Sequence, residues 1–383
     1  MRGTLWGSRD VPGALLLAAL AGCSAGDATA PGPGQAERLV LPPVNAYNFS
    51  AVISPGCQDT GYGINDSGAV VGYSACLGMG AFVKQGGSVT PLPRPTSLGV
   101  NGSIFPLGIN LAGRIAGYST PGDGTSHFRA LLWTRGASGY TVQDLGTLAG
   151  GAAAQARALN AAGDVVGWSE IAMAGGVIRK HGFLRRLSGV RVDLVPANGY
   201  LNAEANDVNA SGVVVGVSYT PIQSGGISRV ATIWRPATQG SNTLLPLLLP
   251  GGFLSAATAV NDAGAIVGTI QIPGSPSLTH LARWQVLSPT VEDLSPSDSY
   301  IQPYDVGPTG LIVGERRVSG SLSAFAFGTT FATLPVPATG RSFAWSVNAC
   351  EAIVGEGHQL QGGTQPVQVA ALWTRPLNCT IAP

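Results

Sequence analysis

The chain has 383 residues, of which 45% are apolar and only 11% charged, well under the ~25% charge usual for a soluble domain. Its 21 Lys and Arg nearly balance 20 Asp and Glu, and no basic stripe of the kind nucleic-acid binding needs is present. A chain this long and apolar can fill one large closed all-β domain, and a surface rich in Gly, Ser, Thr, Asn and Gln suits an exported protein.

The first element in chain order is an export signal. Arg2 and Arg9 precede the apolar run GALLLAALAG at residues 13–22, which is too short to span a bilayer and has signal-peptide length. It ends in LAGC, residues 20–23, which resembles a bacterial lipobox. The resemblance implies cleavage before Cys23 and a lipid on its sulfur, and Ser24 in the next position implies sorting to the outer membrane. Residues 1–22 are thus expected to be a lipoprotein signal peptide. Residues 23–36, small and rich in Pro and Gly, read as a flexible tether.

From residue 37 to 383 one unit recurs. GINDSGAVVGYS is followed by GINLAGRIAGYS, ALNAAGDVVGWS, DVNASGVVVGVS, AVNDAGAIVGTI, DVGPTGLIVGER and SVNACEAIVGEG. The anchors are Asn65, Asn110, Asn160, Asn209, Asn261, Gly307 and Asn348, so the successive spacings are 45, 50, 49, 52, 46 and 41 residues. Spacings in this range, built from short β-branched runs, predict an all-β, seven-bladed β-propeller of four-stranded antiparallel blades. Strand A ends at the anchor, strand B is the DVVGWS-like run, strand C carries an aromatic, and strand D resembles VRVDL.

Between A and B the pattern is Asn-x-x-Gly. Asn can cap a tight turn through its side chain, and Gly supplies the positive φ that follows. No helix pattern follows, as a dinucleotide-binding glycine loop would require, so the motif is a hairpin. A second glycine falls inside strand B of every unit (Gly72, Gly117, Gly167, Gly216, Gly268, Gly314 and Gly355). A strand glycine marks close approach. The expected neighbour is the strand C aromatic: Phe82, Trp133, Phe183, Trp234, Trp284, Phe325 or Trp373.

These residues carry a family resemblance. DVVGWS, SHFRALLW (residues 126–133) and QDLGTLAGG (residues 143–151) resemble the HAF-repeat family of bacterial extracellular proteins. Its repeats run Gly-Val-Val-Gly-Tyr-Ser, then His-Ala-Phe-Leu-Trp, then Asp-Leu-Gly-Thr-Leu. The resemblance covers everything after the tether and keeps the family's His only at His127, His181 and His280. It implies a surface location and no particular reaction.

Unit seven lacks a convincing strand D, and ERLVLPP at residues 37–43 looks like one. Pairing it with the last strand C would close the ring and remove open edges. Beyond Cys23, four cysteines remain (Cys57, Cys76, Cys350 and Cys379), which allow three connectivities in an exported chain. The topology puts Cys57 and Cys76 at one end of the propeller and Cys350 and Cys379 at the other, which favours those two pairings. Glu351 replaces the turn glycine in unit seven, and a bridge at Cys350 is expected to offset its strain.

No catalytic constellation, metal-ligand spacing or cofactor motif is present in the sequence. His127, His181 and His280 recur at one strand C position, and Asp144, Asp193 and Asp293 at one strand D position, so both sets read as scaffold. The variable B-to-C and D-to-A loops share one end, where a rigid scaffold presents function. Phe105, Tyr200, Phe253, Tyr300 and Phe343, with Arg179, Arg229, Arg316 and Arg317, form the candidate ligand-binding face. The expectation is a monomeric, non-enzymatic, lipid-anchored envelope protein that binds protein or polysaccharide, without a cofactor and without nucleic acid. The alternatives are a glycan-acting hydrolase or lyase, with Glu170, Glu204 and Glu315 as candidate acids, and a purely structural envelope component.

Overall fold

In a computed structural model, residues 47–53, 58–77, 80–96, 102–122, 127–222, 226–236, 244–248, 254–271, 278–287, 290–295, 300–361 and 365–375 are described. They form seven four-stranded antiparallel sheets, each an up-and-down blade. Blade three is representative, with strands Ala154–Leu159, Val165–Ala172, Ile178–Arg185 and Arg191–Leu194 in order A to D. Blade seven is assembled from both ends of the chain. Strands Phe343–Val347, Ile353–Gln361 and Gln365–Thr374 are joined by Asn48–Ala51, which pairs Asn48 with Thr374 and Ala51 with Ala371.

The ring therefore closes through an N-terminal strand, but not the expected one. Asn48–Ala51 takes the edge, and residues 37–43 lie outside the described residues, as do Cys23, Cys57 and Cys379. An edge strand is bonded along one side only, so NFSA can serve there without the apolar run that drew attention to residues 37–43.

Each of the seven apolar clusters straddles two blades. Val71 and Val83 of blade one pack with Ile104, Ile115, Leu131 and Trp133 of blade two. The last cluster joins blade seven to blade one through Val354, Ala370, Ile64, Val70 and Phe82. No blade hides its apolar faces alone. Each fully buried Val, Leu, Ile or Phe contributes roughly 1.5–3 kcal/mol, so the stabilisation resides at the interfaces between blades.

The A-to-B turns follow the sequence pattern. Asn160 Oδ1 accepts the Asp164 N–H at 2.9 Å, Gly163 N–H donates to Asn160 O at 3.0 Å, and Gly163 has φ +89°. The same Asn has a second role. Its Nδ2 donates across the blade boundary to the next anchor's carbonyl, at 3.0 Å from Asn65 to Asn110 O and 3.1 Å from Asn110 to Asn160 O. The chain of links continues to Asn209, Asn261 and Gly307, and Asn348 returns to Asn65 O at 3.0 Å. One link is missing, because Gly307 has no side chain to send to Asn348.

The strand B glycines have a different cause from the one expected. A Cβ on any of them would fall 1.9–2.1 Å from a carbonyl oxygen of strand A, such as Thr60 O for Gly72 and Glu204 O for Gly216. In every blade the A–B register slips opposite this glycine, for example between Ala205 and Asp207. Strand A bulges there and pushes its backbone into the space a side chain would need. Only at Gly72 does an aromatic, Phe82, also crowd the position. The Trp residues lie two positions along strand C and staple blades together instead. Trp133, Trp234 and Trp373 donate their indole N–H to Pro93 O, Val195 O and Pro335 O of the preceding blade.

Candidate functional site

A bulge inserts one extra residue into strand A of each blade, three positions before the anchor. These residues are Tyr62, Leu107, Arg157, Asn206, Thr258, Tyr304 and Trp345, and each is half-buried. Strand A is the innermost strand, so one bulge residue from each blade meets the propeller axis. Together they form a ring that separates two chambers, since all seven line both. The narrower chamber, about 260 Å³, lies toward the A-to-B turns and includes Asp207 and Asp305. The wider one, about 640 Å³, opens toward the D-to-A and B-to-C loops.

The wider chamber has two unlike walls. From blade six round to blade two its lining is aromatic. Tyr304 lies 4.2 Å from Trp345, Trp345 lies 6.4 Å from Tyr62, and Tyr62 lies 6.4 Å from Phe105. Phe343 stacks on Trp345 at 5.6 Å, and Phe105 on Tyr118 at 5.1 Å. Burial pushes the Tyr62 phenol up to about 12, with nearby Tyr118 and Glu356 adding to the effect. Burial and the Glu315 carboxylate likewise raise that of Tyr304. These hydroxyls therefore stay neutral at physiological pH.

The opposite wall, in blades three to five, is polar. Arg157 donates to Glu204 Oε2 at 2.5 Å and to Asn206 Oδ1. Glu204 Oε1 also accepts from the Tyr219 hydroxyl at 3.2 Å, with Lys180 at 3.7 Å. Asn206 Nδ2 donates to Ala257 O at 2.7 Å. Gln155, Thr258, Thr269 and Arg229 add polar groups on this side beside the apolar Val217 and Ala256, while Gln302 lines the chamber from strand A of blade six.

Below the ring, Asp207 Oδ2 accepts the Val260 N–H of blade five at 2.9 Å. Asp305 Oδ2 accepts the Val347 N–H of blade seven at 2.9 Å. Burial, reinforced by the charge of Asp305, raises the Asp207 carboxyl to about 7. Burial also raises Asp305, against the pull of its own hydrogen bonds. Both carboxyls join neighbouring blades and line the narrower chamber.

The candidate loop face separates into several places. Arg229 lines the wider chamber. Phe105 and Phe343 belong to it indirectly, on strand A beside the ring rather than in D-to-A loops. Tyr300 and Arg317 pair with each other, the guanidinium 5.5 Å from the ring centroid. Arg316 turns away toward strand D, 4.9 Å over Phe331 and bonded to Thr333 Oγ1 at 2.9 Å. Arg179 sits on blade three's strand C, and Tyr200 in the loop before blade four. Phe253 lies outside the described residues.

Of the candidate acids, Glu204 is in the chamber. Glu315 is buried and accepts the Tyr304 hydroxyl at 2.8 Å. Glu170 accepts the backbone N–H groups of Ala152 and Ala153. The recurring His and Asp meet each other across strands C and D, at 2.8 Å for His181–Asp193 and 2.7 Å for His280–Asp293. In blade two, Asp144 pairs with Arg129 at 2.6 Å. Among the described residues, no group of three or more His, Cys, Asp and Glu side chains is placed to hold a metal ion.

No family model matches this sequence, and no curated protein sequence matches it. Among solved structures, the chain is similar to a puromycin-hydrolysing peptidase of Mycobacterium tuberculosis. Identity is 14% and the TM-score 0.51, covering 86% of this chain and 52% of that one. It is also similar to a structure from work on two prolyl endopeptidases, at 12% identity and TM-score 0.54, covering 88% and 51%. The likeness is one of fold. This chain spans about half the length of either structure.

Seven of the residues at the ring and chamber went unread in the sequence, although a signal was present. The position three before each anchor holds a bulky or polar residue in every unit, while the position before it holds Gly, Pro or Ala. A strict period of two would place those two neighbours on opposite faces of an unbroken strand, and nothing in the alternation announces a bulge.

Proposed function

We propose that this propeller binds a glycan in the wider axial chamber, admitting it from the D-to-A and B-to-C end. The carrying observation is the chamber's two-sided chemistry. An aromatic arc of Tyr304, Trp345 and Tyr62 faces amide, hydroxyl and guanidinium groups across about 640 Å³. That size lies within the ~300–1,000 Å³ of small-ligand sites, which pair apolar walls with a few placed polar groups. A sugar ring has the matching character, with C–H faces to lie on aromatics and hydroxyls around its edge.

Export, lipid attachment at Cys23 and membership of the HAF-repeat family belong to the same proposal, supported by the sequence motifs. So do the pairings Cys57–Cys76 and Cys350–Cys379. The function is tested by screening the purified protein against a glycan array beside its Trp345→Ala variant. Glycan binding that the variant loses is expected. Full binding by Trp345→Ala, or binding only to envelope proteins in a parallel pull-down, would overturn the axial-chamber reading.

A further inference from the structure

Within that glycan reading, on which this inference rests, we infer that the chamber selects a sugar carrying a carboxylate, with Arg229 as the residue that reads it. Among the described residues, the charged groups lining the chamber are Arg157, Glu204 and Arg229. Arg157 and Glu204 are bonded to each other, and Arg157 also donates to Asn206 while Glu204 also meets Tyr219 and Lys180. Lys180 is further held over the Trp168 ring at 4.1 Å. One positive charge is left over. Among the described residues, the half-buried Arg229 guanidinium has no hydrogen bond and no ion pair.

The Arg229 backbone, by contrast, is fixed on both sides. It pairs with Tyr219 in the blade four hairpin and bridges Leu254, and its carbonyl accepts the Ser255 N–H at 3.3 Å. A half-buried guanidinium held on a rigid strand without an anion is costly to keep dry, and its planar fork of donors matches a carboxylate in two parallel bonds. Two amides lining the same chamber have capacity to spare. Gln155 Oε1 accepts from the Trp168 indole at 2.9 Å, which leaves its Nε2 to donate. Gln302 Nε2 donates to Pro303 O at 3.1 Å, which leaves its Oε1 to accept. A donor, an acceptor and an unpaired cation facing an aromatic wall suit a uronic-acid unit better than a neutral hexose.

The test is titration calorimetry of the whole protein with three probes of similar length: galacturonate oligomers, maltose oligomers and sulfated dextran oligomers. Wild type, Arg229→Gln, Arg229→Lys and Trp345→Ala are compared, each first checked for an unchanged far-ultraviolet spectrum. Galacturonate should bind best, and Arg229→Gln should weaken it by ten- to a hundredfold, a larger factor than any loss for maltose. Arg229→Lys should recover part of the loss, since it restores charge without the fork. Trp345→Ala should weaken both glycans. If maltose oligomers bind as well as galacturonate and Arg229→Gln changes neither, the carboxylate inference falls and the glycan reading stands. Preference for the sulfated probe would likewise overturn the inference alone. Failure of every probe to bind would remove both.

Discussion

Glu351 and Arg375 form a buried ion pair, 2.6 Å apart with side-chain exposures of 7% and 3%, at the seam where the two ends of the chain meet. Glu351 occupies the turn slot that glycine fills in the other blades, with φ +56°. Its other oxygen accepts the Thr309 hydroxyl of blade six at 3.1 Å. Arg375 directly follows strand C of blade seven and lies 4.6 Å over the ring of Tyr47, just ahead of the closing strand. The two side chains thus tie together the last turn, the end of the last strand, the residue ahead of the closing strand and the neighbouring blade. This pair anchors the side chain of the strained residue.

Breaking a buried pair by removing one partner costs ~3–5 kcal/mol, while glycine would recover ~1–2 kcal/mol of left-handed strain. Glu351→Gly should therefore lower stability by about 1–4 kcal/mol despite restoring the consensus turn. Combining it with Arg375→Met should regain part of that loss, because no charge is then stranded. Urea unfolding of the three proteins checks this. A Glu351→Gly protein as stable as wild type would mean the pair contributes nothing at the seam.

The bulge makes a separate claim about the strand B glycines. In blade four Gly216 faces Thr232, with no aromatic opposite it, yet its Cβ would lie 2.1 Å from Glu204 O. Crowding by backbone cannot be relieved by a rotamer change, so Gly216→Ala should cost at least the ~1–3 kcal/mol of a well-packed core overfilled by a methyl. Because Glu204 and Asn206 flank the bulge, the same change should also displace Arg157 and weaken ligand binding. An unchanged melting temperature for Gly216→Ala would contradict the bulge geometry.

Turns, blade number and strand order were legible because they depend on local chemistry that repeats. Asn65 and Gly68 set a hairpin by themselves, and their recurrence counts the blades. The role of Asn65 toward Asn110 O was not legible, since a link between blades leaves no mark in either local pattern. The closing strand was misplaced for a related reason. NFSA has two exposed positions out of four, and only the free edge of Gln365–Thr374 gives it a function. The site was hardest to read. Phe105, Phe343 and Arg229 stand out by their chemistry, whereas Tyr62, Arg157 and Trp345 carry no mark in the strand alternation, and only the slip in register turns them inward.

The raised carboxyl of Asp207 makes stability depend on pH. In the folded state it keeps its proton to about pH 7, whereas in the unfolded chain it ionises near the ordinary 3.8. Between those values the folded protein binds more protons, so this contribution is fully present below about pH 4 and is lost as pH rises toward 7. Asp305, raised in the same direction, adds to the trend. Going from about pH 4.5 to about pH 7.5, wild type should lose more stability than Asp207→Asn, which cannot ionise. Parallel urea titrations at the two pH values measure the difference. Equal losses would show that Asp207 ionises normally in the folded protein.

The missing link at Gly307 can be supplied. Its φ is not positive, unlike that of Gly310 three residues later, so a side chain imposes no left-handed strain. A Cβ there would meet Val347 Cγ1 at 3.3 Å, a contact that Val347 can relieve by a shift of a few tenths of an ångström. Asn at this position should do what its six counterparts do. Its Oδ1 would accept the Leu311 N–H, and its Nδ2 would donate to Asn348 O and complete the belt. Each new bond contributes ~0.5–1.5 kcal/mol, and replacing glycine adds ~0.4–1 kcal/mol by restricting the unfolded chain. Gly307→Asn should thus stabilise the propeller by about 1–2 kcal/mol after the Val347 adjustment, while Asn160→Ala, which removes an existing link and cap, should destabilise it by a similar amount. Gly307→Ala separates the two contributions, since it changes the unfolded chain without making the bonds. If Gly307→Asn gains no more than Gly307→Ala in urea unfolding, the bonds between anchors do not hold the blades together.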